Sequence, residues 1–377
     1  MSKRSVYLSV VMSVLLVISV FGCNSSDRAS RLAEKNDVHK AEINKKSERM
    51  DGPAIFQEKT GAHPGLHISG EVRQNLTLQQ EDLKRLHAVT TRTNEVSRSG
   101  HYHGAFTYRG PSLRSLLEFA GIEKKKPDFN KDLDLVIVVQ NSKGEEIALS
   151  WGEIFYRNPG DIIVAVEAAP IRPHHERNRI PRAYWPWLDQ LDREIGFPKL
   201  VVANDFYSDR SIEGIRHIQV IDLHPDVRRK KQKILFSPSF SICGAVATAA
   251  TVSALPEKNY DTVLFKEVGD GQGYHGLKTF GGVPLVDLLE QAGIGNDLDT
   301  VVLISAPDGY RTVLSYGELF LSTVGKDILI GDTIGGEYLT NRGRFFVLLP
   351  DDLSADRSVK AIQEIRVIKL NQRNPSD

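Results

Sequence analysis

Two arginine-hydroxyl steps give the first hint of chemistry. Arg210-Ser211 follows Asp209, and Arg357-Ser358 follows Asp356 and runs on to Lys360. A guanidinium fork matches the oxygens of a phosphate, and a neighbouring hydroxyl adds a further donor. The same guanidinium can instead close an ion pair with the adjacent aspartate, since arginine is seldom buried unless paired. Histidines give the second hint. Tyr102-His103-Gly104 and Tyr274-His275-Gly276 each place a histidine ahead of a glycine turn, where it either hydrogen-bonds an anionic ligand or is structural. His101 and His103 are spaced to share one face of a strand, as half of a metal site would require. His174-His175-Glu176 has ligand-type residues, but neighbouring side chains on an irregular loop diverge and no further donor is evident. Cys243 reads as a buried strand thiol, because free cysteine packs as a small hydrophobe.

These residues recur because the chain repeats itself. Glu95 to Gly104 stands against Glu267 to Gly276, and Gly110 to Ile122 against Gly282 to Ile294. Asp132-Leu133-Asp134 matches Asp297-Leu298-Asp299, and Leu149 to Phe155 matches Leu314 to Phe320. Asp209 to Ile212 matches Asp356 to Val359. The blocks keep their order at a period far too long for a solenoid, so the expectation is a duplicated domain. Gly273 stands opposite His101, so a two-histidine metal site would belong to the first copy alone. Glu213 stands opposite Lys360, which makes the second copy the better anion binder.

The elements that must hold these residues follow from pattern. Leu113, Leu116, Leu117 and Ala120 recur at helical spacing, as do Leu285, Leu288, Leu289 and Ala292, with Gly121 and Gly293 placed to end each helix. Ser150 with Glu153 and Ser315 with Glu318 are capping boxes that start a second short helix. Leu135 to Val139, Val301 to Ile304, Leu200 to Ala203, Phe345 to Leu349, Ile215 to Ile221 and Ile362 to Ile368 read as strands. Strands outnumber helices without strict alternation, which predicts an α+β fold of two tandem mixed α/β domains. Between Ala165 and Leu200 the first copy carries extra residues, and Tyr184, Trp185 and Trp187 among them either form a docking surface or cover the core, the cover being the expectation.

The predicted divisions are 1–22 a signal peptide, 23–62 a polar tether, 63–224 and 234–371 the two domains, 225–233 a basic linker and 372–377 a tail. Lys3 and Arg4 precede the apolar run Val6 to Phe21, which is short for a membrane span. Gly22-Cys23 ends it as in a lipobox, so Cys23 would carry a lipid and the body would lie in the cell envelope, facing the periplasm. Asn24 after the cysteine favours the outer membrane. With Cys23 lipidated, Cys243 has no partner and there is no internal disulfide. Lysine and arginine balance aspartate and glutamate at 48 each, which argues against a nucleic-acid binder.

The blocks resemble the molybdopterin-binding domain of the sulfite-oxidase family. Leu66 to Val72 resembles that family's first strand. Gly282-Val283-Pro284-Leu285 with Leu288-Leu289 resembles its G-V-P-L-x-x-L-L segment, and Asp356 to Lys360 its late R-S-V-K segment. The resemblance covers most of 64–223 and 238–370 and implies that the basic and hydroxyl groups of the late segment help hold a pterin phosphate. It also implies a molybdenum-ligating cysteine, yet Asn94 to Arg98 and Lys266 to Asp270 contain none. Serine or carboxylate does not replace a thiolate there. The expected function is therefore a non-catalytic binding or interaction module for an anionic or pterin-like ligand or a protein partner. The alternatives are a molybdopterin-dependent oxidoreductase with atypical metal ligation and a histidine-based metal binder. No cofactor is assigned, molybdopterin being the one the resemblance implies. The candidate ligand-binding residues are His103, Arg210, Ser211, His275, Arg357, Ser358 and Lys360; His101, His103, His174 and His175 are the weaker metal candidates.

Overall fold

Runs of β-branched residues with both faces buried form the centre of each half. In the computed structural model, the strands Leu135–Asn141 and Thr300–Ser305 are buried along almost their whole length. Such strands need cover on both sides. The structure describes residues 65–227, 229, 233–269, 273–340 and 343–372. The signal peptide, Cys23, all of the tether, residues 228 and 230–232 of the basic linker and all but the first residue of the tail lie outside them. The described residues fall within one contact unit.

The fold is mixed α/β and rich in sheet. One five-stranded sheet runs in the order Leu76–Leu78, Leu66–Gly70, Ile215–Asp222, Leu135–Asn141, Glu146–Ser150. A second runs Ala250–Val252, Phe240–Gly244, Glu364–Lys369, Thr300–Ser305, Arg311–Ser315. Orientations match strand for strand: each has one parallel pair, between its second and third strands. The other pairs are antiparallel. Each half also has a long hairpin, Ala88–Val96 with Tyr102–Pro111 and Asp261–Gly269 with Gly273–Pro284.

Each sheet has one face on its own helix. Leu113, Leu116, Leu117 and Ala120 of Leu113–Ala120 pack on Ile68, Ile137 and Ile218. Leu285, Leu288, Leu289 and Ala292 of Leu285–Ala292 pack on Ile242, Val302 and Ile365. The predicted terminating glycines both adopt positive φ, 71° at Gly121 and 74° at Gly293. The other sheet faces meet each other. Val136, Val138 and Ala148 pack with Val301, Leu303 and Val313 in one apolar cluster. The second short helices, Trp151–Phe155 and Tyr316–Phe320, start at Ser150 and Ser315 as expected, and both lie at this junction.

Candidate functional site

The junction is polar where the two short helices approach. Ser150 accepts from the Glu153 amide at 3.0 Å, and Ser315 from the Glu318 amide at 2.9 Å. Each hydroxyl then donates across the junction, Ser150 to Glu318 at 2.7 Å and Ser315 to Glu153 at 2.6 Å. Arg210 and Arg357 complete the exchange. Arg210 grips Asp205 with two bonds of 2.7 Å and reaches Glu153 at 2.7 Å. Arg357 grips Asp352 with two bonds of 2.6 Å and Glu318 at 2.7 and 3.1 Å. Each guanidinium lies over the glycine of the opposite half's short helix. A Cβ on Gly317 would sit 2.2 Å from Cδ of Arg210, and one on Gly152 2.2 Å from Cδ of Arg357.

This corrects the expectation for the arginine-hydroxyl steps. Arg210 and Arg357 are 1% and 0% exposed, with both edges of each fork occupied by carboxylates, so neither has a free edge for a phosphate. Their partners are the aspartates five residues earlier and a glutamate on a short helix, not the adjacent Asp209 and Asp356. Ser211 is also committed, accepting from the Val202 amide at 3.1 Å.

The cluster is not quite symmetric. Arg157 adds a second guanidinium to Glu318, at 3.1 Å, where the second half has Ser322 in the matching place. Burial works to raise Glu318, but Arg357 and Arg157 outweigh it and hold the carboxyl at about 2. Glu153 shifts the other way. Burial pushes it above its ordinary range, Arg210 opposes that, and the nearby Glu318 charge adds to it.

The Ser358–Lys360 segment has a different surrounding. Ser358 and Lys360 line a cavity of about 390 Å³ with Glu267, Tyr310, Phe346 and Asp356. Lys131 of the first half closes one side, bonding Tyr310 Oη at 3.1 Å and Asp356 at 3.3 Å. Burial works against the Lys131 charge, but Tyr310 and Asp356 outweigh it and raise its pKa. Asp356 also accepts from Tyr156 at 3.1 Å and Ser354 at 2.8 Å. The buried Ser358 hydroxyl has no hydrogen-bond partner among the described residues. A buried polar group of that kind usually has a partner, from protein, water or ligand.

The matching place in the first half is filled. Lys199, at Phe346's position in the strand bridge to the Ser211–Glu213 segment, is 1% exposed. Its ammonium bonds Glu95 at 2.5 Å, Tyr108 at 3.0 Å and Glu213 at 3.3 Å. Arg193, from the extra segment, bonds Glu95 at 2.7 Å and Glu213 at 2.6 Å. Burial, and then the Glu95 carboxylate, raise the pKa of the Tyr108 hydroxyl.

The histidines divide. His101 and His103 are brought together, with ring centroids 4.6 Å apart and edge-on. Burial, then the charges of His101 and Arg193, lower the His103 pKa. His275 is tied to its own hairpin, its Nε2 lying 2.9 Å from the Gly269 carbonyl. His174 and His175 are exposed on the extra segment. Among the described residues no group of three histidine, cysteine or acidic side chains is placed to hold a metal. Cys243 is half-buried rather than buried, in register with Arg366 on the second five-stranded sheet. The segments where the resemblance expects a molybdenum thiolate present Glu95 and Glu267, both already paired with lysines. That donor set does not suit the metal.

Tyr184, Trp185 and Trp187 do not cover the core. Tyr184 and Trp187 are 52% and 50% exposed, and Trp185 is half-buried with its indole donating to Ile180 at 3.1 Å. Leu191, Ile195 and Phe197 turn inward instead.

Glu153, Glu318, Asp205, Asp352 and Arg157 were not among the sequence candidates. A signal for them exists: Gly152 and Gly317 recur inside two short helices, and Asp205 and Asp352 each precede their arginine by the same interval.

No protein-family profile matches the chain. No curated protein matches it either. Among solved structures, the sulfane dehydrogenase SoxCD from Paracoccus pantotrophus is similar at 12% identity and a TM-score of 0.30, over 67% of this chain. The match spans 63% of that structure's chain.

Proposed function

We propose that the chain is an envelope-attached binding protein built from two copies of one module, in which the second copy holds a ligand and the first has lost its site. The observation that carries this reading is the contrast between matching places. The first is filled by Lys199 and Arg193, and the second is a cavity beside the Ser358 hydroxyl, which has no partner among the described residues. Its size lies within the range of small-molecule sites. Its chemistry selects the ligand class. Lys131 and Lys360 suit an anionic or carbonyl group, Glu267 and Asp356 suit N–H donors, and Tyr310 and Phe346 suit a planar ring. An amino-substituted heteroaromatic with an acidic group, such as a carboxylated pterin, has all three features. The duplicated scaffold then serves binding and not redox chemistry, since no thiolate stands where molybdenum would need one.

Calorimetry with pterin-6-carboxylate tests the site. Binding to the full chain that is lost in Lys360→Glu, which installs the first copy's acid, supports it. Binding unchanged in that variant, or stoichiometric molybdenum in purified protein, removes it. Attachment is tested separately by palmitate labelling, expected for the full chain and absent in Cys23→Ala.

A further inference from the structure

The extra segment of the first half builds a second concave surface, remote in chemistry from the cavity of the second half. Ile171, Ile180, Tyr184, Trp187, Leu188 and Leu191 wall an open groove of about 690 Å³ against Tyr102 of the hairpin. The equivalent gap in the second half is bridged by a shorter segment without tryptophan, so the groove belongs to the insertion. An apolar groove edged by half-exposed Tyr184 and Trp187 would be costly to leave in water. Their rings are apolar bodies with polar tips, the form favoured at a membrane interface.

The rim has a small positive excess, with Arg172, Arg177, Arg179 and Arg182 against Glu176, Asp189 and Asp192. Arg172 is paired with Asp192 at 2.5 Å and Arg177 with Asp189 at 2.7 Å. Arg179 and Arg182 are exposed and have no carboxylate partner among the described residues. Arg182 stacks on the Trp185 ring, 5.6 Å from its centroid, which holds its charge beside the aromatic pair. Two unneutralised guanidinium groups next to exposed aromatic rings complement a surface of phosphates over hydrocarbon.

We propose that the Ile171–Leu191 insertion is a membrane-contact surface for anionic phospholipid. Arg179 and Arg182 meet lipid phosphates, Tyr184 and Trp187 lie at headgroup depth, and the groove behind them takes acyl-chain methylenes. The inference rests on the envelope reading, because it needs a chain held at a membrane. It adds the face that the protein turns toward that membrane.

The test uses the full chain with Trp151→Phe and Trp185→Phe, leaving Trp187 as the sole indole. It is incorporated into vesicles carrying brominated phosphatidylcholine, with and without phosphatidylglycerol. Emission from Trp187 should fall roughly twofold or more in the anionic vesicles, as a ring at headgroup depth requires. Arg179→Glu with Arg182→Glu should abolish that loss. No quenching in anionic vesicles overturns the proposal, and so does equal quenching in neutral ones. Protection by an acidic peptide without quenching by lipid would assign the surface to a protein partner and also overturn it. If the tryptophan variant fails to fold, hydrogen exchange of the native sequence gives the same answer. Amides around 180–188 should slow with anionic vesicles alone. Flotation of the arginine variant reports attachment by itself. A chain that floats unquenched refutes this surface and leaves attachment standing. One that is quenched but does not float once the arginines are reversed refutes attachment instead.

Discussion

Ser315 donates its hydroxyl to Glu153 at 2.6 Å, joining two capping boxes that belong to opposite halves of the chain. Ser150 and Glu318 repeat the contact in reverse. Each box therefore starts its own helix and fastens the other half, and the buried Arg210 and Arg357 hold the two glutamates in place. Such a junction lets the two five-stranded sheets bury their second faces on each other without a further layer of helices.

The glycine beneath each arginine should be intolerant of change. Gly317→Ala places a Cβ 2.2 Å from Cδ of Arg210, whose guanidinium is held by Asp205 and Glu153 and so cannot swing aside freely. We expect a loss of about 1–3 kcal/mol by urea unfolding, as for overpacked cores. Arg210→Met should cost more, about 3–5 kcal/mol, because it strands Asp205 and Glu153 in a buried site. An alanine variant as stable as the native chain would show that the halves are not clamped as described.

Arg157 makes the acid response asymmetric. Glu318 is held at about 2 against an ordinary 4.5, so its contribution is complete above 4.5 and is lost as pH falls toward 2. Glu153 is raised, so its contribution is complete at low pH and is lost as pH climbs through its folded value. Arg157→Met removes one of the two guanidinium groups that hold Glu318 down. Acid unfolding followed by circular dichroism should then begin at higher pH. A midpoint that stays in place would mean that Arg357 alone sets the Glu318 carboxyl.

Much of the scaffold was legible because it is local. Leu113, Leu116, Leu117 and Ala120 repeat at helical spacing, and Gly121 ends their helix where a left-handed residue is needed. The runs around Val136 and Val302 announced strands, and their burial on both faces announced cover from two sides. The site was less legible. Arg210 and Arg357 look the same in sequence whether they hold a phosphate or a carboxylate. What decides is Glu153 or Glu318, which a folded junction brings close across a long stretch of chain. The fate of Tyr184 and Trp187 was misread for a related reason. Aromatic content shows the capacity to bury area, but the neighbours that would accept it are set by tertiary structure.

The filled site of the first half should behave as a structural core and not as a vacant pocket. Lys199 is buried and bonded to Glu95 and Tyr108, so Lys199→Met leaves Glu95 with only Arg193 as its cationic partner. We expect a loss of about 3–5 kcal/mol. Adding Glu95→Gln should recover part of it, giving a double variant less destabilised than the sum of the single changes. Strict additivity in urea titrations would show that the two side chains do not share one network.

The apolar contact between the sheets predicts how the molecule comes apart. Val136, Val138 and Ala148 of the first half have Val301, Leu303 and Val313 of the second as neighbours, and Arg311 of the second reaches Asp134 of the first at 2.8 Å. A half unfolding alone would expose those valines and leave Asp134 without Arg311, or Glu318 without Arg157. Both penalties fall on the half that remains, so the described residues should unfold in one transition despite the repeat. Calorimetric and van't Hoff enthalpies should then agree, with near- and far-ultraviolet signals changing together. Leu303→Ala, expected to cost about 2–5 kcal/mol, should lower the whole transition and not split it. Two resolved transitions, with only the second half's moved by Leu303→Ala, would show that the copies stand independently.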